Sequence, residues 1–200
     1  MLAVIGLSAS CGNVVRQGRA PVYLVIDQLQ SVAGGSTAGT PSAFLLSDVL
    51  GSRTSPAPCT STAPCPTVFD DSGTVALRLS LKDLGTATSP TTASTNNEVT
   101  INRYHVTYRR ADGRNTPGVD VPYGFDGAVT GTVPAGGNMS LGFELVRHAA
   151  KEEAPLMQLV YNANTITTIA DVTFYGRDQV GNDVSVTGSI QVDFGNFGDR

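Results

Sequence analysis

The chain contains no tryptophan, and among its 200 residues there are only two histidines, His105 and His148, and three cysteines, Cys11, Cys59 and Cys65. Histidine-based catalysis therefore has two starting points, and a disulfide-dense scaffold is excluded. A formal net charge of −4, with no basic run and no stripe of Lys/Arg mixed with aromatics, lacks the footprint of a nucleic-acid binder. No hydrophobic run is long enough to cross a bilayer. The most membrane-like stretch, Met1 to Ser10 (MLAVIGLSAS), falls well short of the roughly 30 Å of hydrocarbon at about 1.5 Å per helical residue. The nucleophile elbow, the phosphate-binding loop, the dinucleotide fingerprint and the zinc-protease helix motif are all missing.

What is present is enough apolar sequence, 40% of residues, to bury a core in one globular unit. Its 22 glycines and 11 prolines, with abundant Thr, Ser and Val, favour short strands joined by turns. Val22 to Val32 (VYLVIDQLQSV) predicts a strand; Ala43 to Leu50 fits either a strand or a short helical turn. Val75, Leu77, Leu79 and Leu81 alternate with Ala76, Arg78, Ser80 and Lys82, the period of a strand with one buried face. Leu84 to Asn97 is a low-complexity loop. In VTINRYHVTYRR the apolar phase slips from Val99 and Ile101 to Tyr104, Val106 and Tyr108, which predicts a β-bulge near Asn102 and Arg103. Ala128 to Val133 and Met139 to Val146, split by PAGGN, read as a two-strand hairpin. Arg147 to Val160 alone has helical composition, and Pro155 restricts it to short pieces forming a crossover.

The N-terminal apolar segment resembles the end of a secretory signal peptide, and its missing positive n-region predicts a start further upstream. Leu7-Ser8-Ala9-Ser10-Cys11 is similar to the lipobox of bacterial lipoproteins, with Ser8 at the place where the family usually has Leu. The resemblance implies lipidation of the Cys11 thiol, a membrane anchor, and, with Gly12 next, sorting to the outer rather than the inner membrane. Cys59 and Cys65 lie in SPAPCTSTAPCP, without neighbouring histidine or acid, so a metal site is disfavoured and a disulfide in an oxidising compartment is expected. The expected organisation is residues 1–10 as signal peptide, 11–20 as lipid-anchored tether and 21–200 as one domain.

Towards the C-terminus, Ala170, Val172, Phe174 and Gly176 share one face, GRDQVGND turns the chain, and Val184 to Phe194 alternate on the return. DVTFYGRDQVGNDVSVTGSIQVDF resembles the last hairpin of bacterial immunoglobulin-like and fibronectin-type-III-like modules. That resemblance implies an all-β fold, an antiparallel Ig-like β-sandwich with one short helical crossover. No Cys…Trp…Cys spacing is present, which excludes an antibody-type domain. The whole chain also resembles uncharacterised bacterial envelope proteins, a likeness that brings no activity with it.

Candidate chemistry is sparse. His105 reads as a half-exposed strand residue, and His148 with Glu152, four apart, as a surface pair. Asp70-Asp71 and Asp178, Asn182 and Asp183 could offer oxygens to calcium, but hard cations take six to eight, and turn chemistry explains the second cluster. Tyr104, Arg109, Tyr175 and Arg177 form the candidate docking patch, because Tyr and Arg are enriched at interface hot spots. Phe197 lies beyond the last strand and is expected to cap the core or insert into a neighbour. These readings predict a non-enzymatic envelope module, without cofactor or metal, that docks onto another envelope protein as a binding, structural or accessory subunit. The alternatives are a carbohydrate- or small-ligand-binding sandwich, which the lack of Trp weakens, and a hydrolase with an unrecognised site.

Overall fold

The computed structural model describes residues 18–35 and 39–197, so Cys11 and its lipobox lie outside the described residues. The described chain is all-β, with several sheets. Strand β1 (Val22–Val32) pairs antiparallel with β5 (Asp71–Leu81), which pairs on its other side with β10 (Asn138–Val146). The second, mixed sheet curls and runs in the order β2 (Phe44–Asp48), β12 (Asp183–Gly195), β11 (Ile166–Asp178), β8 (Val99–Arg109), β9 (Phe125–Val133). Strand β2 runs parallel to β12, and the remaining neighbours are antiparallel. Residues of the Cys59–Cys65 region form a separate two-stranded ribbon, β3 (Gly51–Arg53) with β4 (Cys65–Thr67). The expected disulfide is formed, and it closes an exposed loop.

One core lies between the two larger sheets, and alternation explains which residues enter it. Val75 and Leu77 of β5, and Leu141, Phe143 and Leu145 of β10, are buried from one side. Val99, Ile101, Tyr104, Val106 and Tyr108 of β8, with Val172 and Phe174 of β11, are buried from the other. Aromatic rings bridge the layers. Phe143 lies 5.3 Å from both Tyr104 and Phe174, edge-on to the latter, a favoured arrangement for ring quadrupoles. The Tyr108 hydroxyl donates to the Leu145 carbonyl at 2.6 Å, and burial pushes its pKa far up, so it remains a donor. Tyr104 Oη accepts from the Glu144 N–H at 3.2 Å. Each ring also needs a bare backbone opposite. A Cβ on Gly73, paired with Phe143, would come within 2.3 Å of that ring, and one on Gly127, paired with Tyr104, within 2.2 Å.

The bulge appears at Asn102, where β8 slips against both neighbours: Ile101 and Arg103 face Gly176 and Tyr175 on one side, and Gly131 and Ala128 on the other. The extra residue re-phases the strand, so Tyr104, Val106 and Tyr108 remain on the core side. Ala43 to Leu50 resolves as strand β2, and the low-complexity loop holds a small hairpin, β6 (Gly85–Thr86) with β7 (Ser89–Pro90). Arg147 to Val160 breaks at Pro155 as expected, into helix α1 (His148–Lys151) and a 3-10 turn (Leu156–Tyr161). Phe197 folds back over Gly195.

One expectation is overturned. Strands β9 and β10 do not form a hairpin, because β9 pairs with β8 and β10 with β5. The connection carries the chain from one sheet to the other, with Gly137 in the left-handed region at φ 104°. A short Gly-rich turn serves a hairpin and a change of sheet equally well. What decides here is that Phe125 and Val133 complete one side of the core, while Leu141, Phe143 and Leu145 complete the other.

Because Phe143 reaches across the core to two rings of the opposite sheet, Phe143→Ala is expected to cost about 3–5 kcal/mol. Urea denaturation monitored by circular dichroism measures this loss.

Candidate functional site

Alternation along the five-stranded sheet sends one set of side chains to the core and the other to an open face. That face carries Arg103, His105 and Arg109 from β8, Asp171, Tyr175 and Arg177 from β11, and Asp126 from β9. Tyr104 does not join them. It is 4% exposed and packed against Phe125, Phe143 and Phe174, which corrects its place in the candidate docking patch. The physical reason is the bulge, after which Tyr104 shares the phase of Val106 and Tyr108.

The other three patch residues lie on the open face but do not converge. Arg109 is opposite Ile169, six residues along β11 from Tyr175, or roughly 20 Å at strand spacing. Each is engaged locally. Arg109 Nε donates to Asp171 Oδ2 at 2.6 Å, and Ser189 Oγ donates to the other oxygen at 2.5 Å. Partial burial raises the Asp171 pKa, but these hydrogen bonds and the Arg109 charge outweigh it and hold the carboxyl below its ordinary value. Arg177 Nε donates to Asp183 Oδ1 at 2.8 Å. The Arg103 guanidinium lies 3.7 Å over the Tyr175 ring, and Thr173 and Thr187 share a 2.9 Å hydrogen bond between them. Arg103 therefore covers one face of that ring.

His105 has a carboxylate within reach, Asp126 Oδ1 at 3.2 Å from Nδ1, and Arg103 donates to the same oxygen. The group sits on the open sheet rather than in a cleft. His148 Nδ1 is 3.6 Å from Glu152 Oε2, both exposed, as expected of a surface pair. A shallow depression of about 110 Å³ is lined by residues including Tyr123, Phe125, Arg147 and Glu153, and neither histidine lines it. Arg147 stacks 3.9 Å over Phe125 and donates to the Asp126 carbonyl at 2.8 Å. The space is small beside the several hundred cubic ångströms, about 300–1,000 Å³, typical of ligand pockets.

The Asp178 oxygens weighed for calcium have another use. Asp178 Oδ1 accepts from the N–H groups of Val180 and Asn182, and Oδ2 accepts from the Asn182 amide at 2.7 Å, so turn chemistry consumes both. Among the described residues, no three His, Cys, Asp or Glu side chains gather as a metal site.

The most concentrated polar chemistry was not anticipated. Lys151 Nζ and Asp71 Oδ2 meet at 2.8 Å with both side chains 1% exposed. Ser47 Oγ donates to Oδ2 at 2.6 Å, the Gly34 N–H to Oδ1 at 2.7 Å, and Lys151 Nζ also to the Asp48 carbonyl at 2.9 Å. Burial raises the Asp71 pKa; the Lys151 charge and the hydrogen bonds from Gly34, Lys151 and Ser47 oppose it without cancelling it. Asp71 did carry a signal, because extending the Val75–Leu77 alternation backwards puts it on the core face. Lys151, in the short helical piece HAAKEE, carried none.

The described residues define an all-β protein of several sheets, with a Cys59–Cys65 disulfide and a buried ion pair. No family model matches the chain, and no curated protein or solved structure matches it.

Removing one member of the buried pair strands the other. Lys151→Met is expected to cost about 3–5 kcal/mol, whereas Lys151→Met with Asp71→Asn recovers a large part of that, because the neutral amide still accepts from Gly34. Chemical denaturation of the two variants checks the difference. On the open face, Asp171 contributes stability that is present above its unfolded pKa and lost as pH falls through its lower folded value. Asp171→Asn should therefore lose less stability than wild type between about pH 4 and pH 2, read from urea midpoints across that range.

Proposed function

We propose that this chain is a non-enzymatic, lipid-anchored envelope protein whose β domain acts as a binding or structural module, in the manner of an extrinsic subunit docked onto a larger membrane assembly. The observation that carries the domain reading is the strand order. Lettered in chain order, β1, β5 and β10 take the places of A, B and E, and β8, β11 and β12 those of C, F and G. Strand β9 then follows C as an added neighbour, and β2 is the part of the first strand that crosses over to run beside G. This supports an immunoglobulin-like or fibronectin-type-III-like sandwich, and the step from fold to docking role is one of analogy with the surface modules that use this architecture.

The address rests on two features. A disulfide in an exposed loop supports an oxidising compartment, and the Leu7–Cys11 segment supports a lipid tether. A tether raises the effective concentration of the domain near membrane-bound partners, so modest contacts suffice for docking. The strand edges and the long loops between β3 and β4 and between β8 and β9 are where recognition would fall.

Intact mass and N-terminal analysis of the protein from native membranes test the anchor. The expected product begins at Cys11 and carries acyl mass; a product beginning elsewhere with a free Cys11 thiol overturns it. Consistent recovery alone after mild-detergent extraction counts against the accessory-subunit role.

A further inference from the structure

We propose that Lys151 and Asp71 are the reactants of an intramolecular condensation, which joins helix α1 to the start of β5 by an amide bond between Nζ and Cγ. The proposal rests on the architecture of the buried node and is independent of the envelope reading. Lys151 is among the largest fully buried side chains of the described residues, and its amine is held against a single carboxyl group. The 2.8 Å contact to Oδ2 holds Nζ beside the carboxyl group it would attack, and fixing two reactants against each other in an enclosed site is a large source of rate advantage.

The neighbours are disposed as the reaction requires. Proton transfer across the contact turns ammonium and carboxylate into amine and acid without an outside base. Burial works in the same direction, because it raises the Asp71 pKa and favours the acid. Nζ then attacks Cγ, and the charge developing on Oδ1 falls on the Gly34 N–H, already 2.7 Å away. A second proton passes from Nζ to Oδ2, with the Ser47 hydroxyl beside that oxygen at 2.6 Å. The Cγ–Oδ2 bond breaks, and Oδ2 leaves as water with both protons. One N–C bond forms, one C–O bond breaks, and nothing is oxidised or reduced.

The product suits the site as well. The amide oxygen retains its bond from Gly34, and the amide N–H is directed at the Asp48 carbonyl, which Nζ meets at 2.9 Å in the unreacted pair. Two buried charges are removed, and with them the desolvation cost of an ion pair in the core. The bond would hold together the start of β5 and the crossover after β10 even in the unfolded chain.

The test is peptide mapping of the full chain after folding and prolonged incubation at neutral pH. The expected result is a branched peptide joining the Asp71 and Lys151 segments, lighter by one water than their sum, with tryptic cleavage after Lys151 lost. Protein kept denatured from synthesis onwards should give the two separate peptides. Lys151→Arg keeps the charge without the nucleophile and should show no branched peptide; if that variant does not fold, the wild-type map decides alone. Complete cleavage after Lys151 in folded wild type, with both peptides at full mass, overturns the proposal.

Discussion

The placement of β2 depends on the carboxylate of Asp71. Strand β1 ends in the three-stranded sheet, and within a dozen residues the chain must reappear at the edge of the other sheet. The reciprocal backbone bonds of Ser31 and Ser42, both 2.9 Å, pin the start of that crossing. Asp71 pins the rest, taking the Gly34 N–H from the corner, the Ser47 hydroxyl from β2, and the Lys151 amine from the crossover after β10. An apolar residue at position 71 would take the acceptor from the Gly34 N–H and the Ser47 hydroxyl and leave the Lys151 charge uncompensated, and such buried groups are expensive. The node is therefore less a source of net stability than a device that allows one connection and penalises others.

Around that corner the core is organised by rings rather than by aliphatic layers. Phe143 reaches across to Tyr104 and Phe174, and both Phe143 and Tyr104 lie over glycines on neighbouring strands. With no tryptophan in the chain, these rings supply the largest apolar surfaces, and the bare backbone at Gly73 and Gly127 allows them to sit close to the sheet. The tyrosine hydroxyls do not violate the core. Each meets a backbone group of β10, so the polar ends of the aromatic cluster fix the height of one sheet against the other.

How much could be read in advance follows from the range of each signal. Alternation is local, so β1, β5, β11, β12 and even the Asn102 bulge were legible from neighbouring residues. Pairing is not local. PAGGN looks like a hairpin turn because nothing in those five residues records that β8 and β5 already wait on opposite sides of the core. The same limit applies to the candidate surface. Arg109, Tyr175 and Arg177 do face outward, but only the register separates Arg109 from the other two, and Tyr104 faces inward because the bulge puts it in phase with Val106 and Tyr108. The Lys151–Asp71 node joins residues from distant segments, one of which has no periodic pattern around it.

The parallel pairing of β2 with β12 has a consequence for the order of events in folding. Phe44 to Asp48 find their partners only at Gln191 to Gly195, at the other end of the described chain. No nascent piece that lacks β12 can seat β2, and Leu45, which is 2% exposed in the finished fold, has no sheet to enter until then. A chain built this way closes late and all at once, because loop-closure entropy must be met before the contact repays it. Until β12 has been made, residues 44–48 remain a strand without a neighbour to run beside.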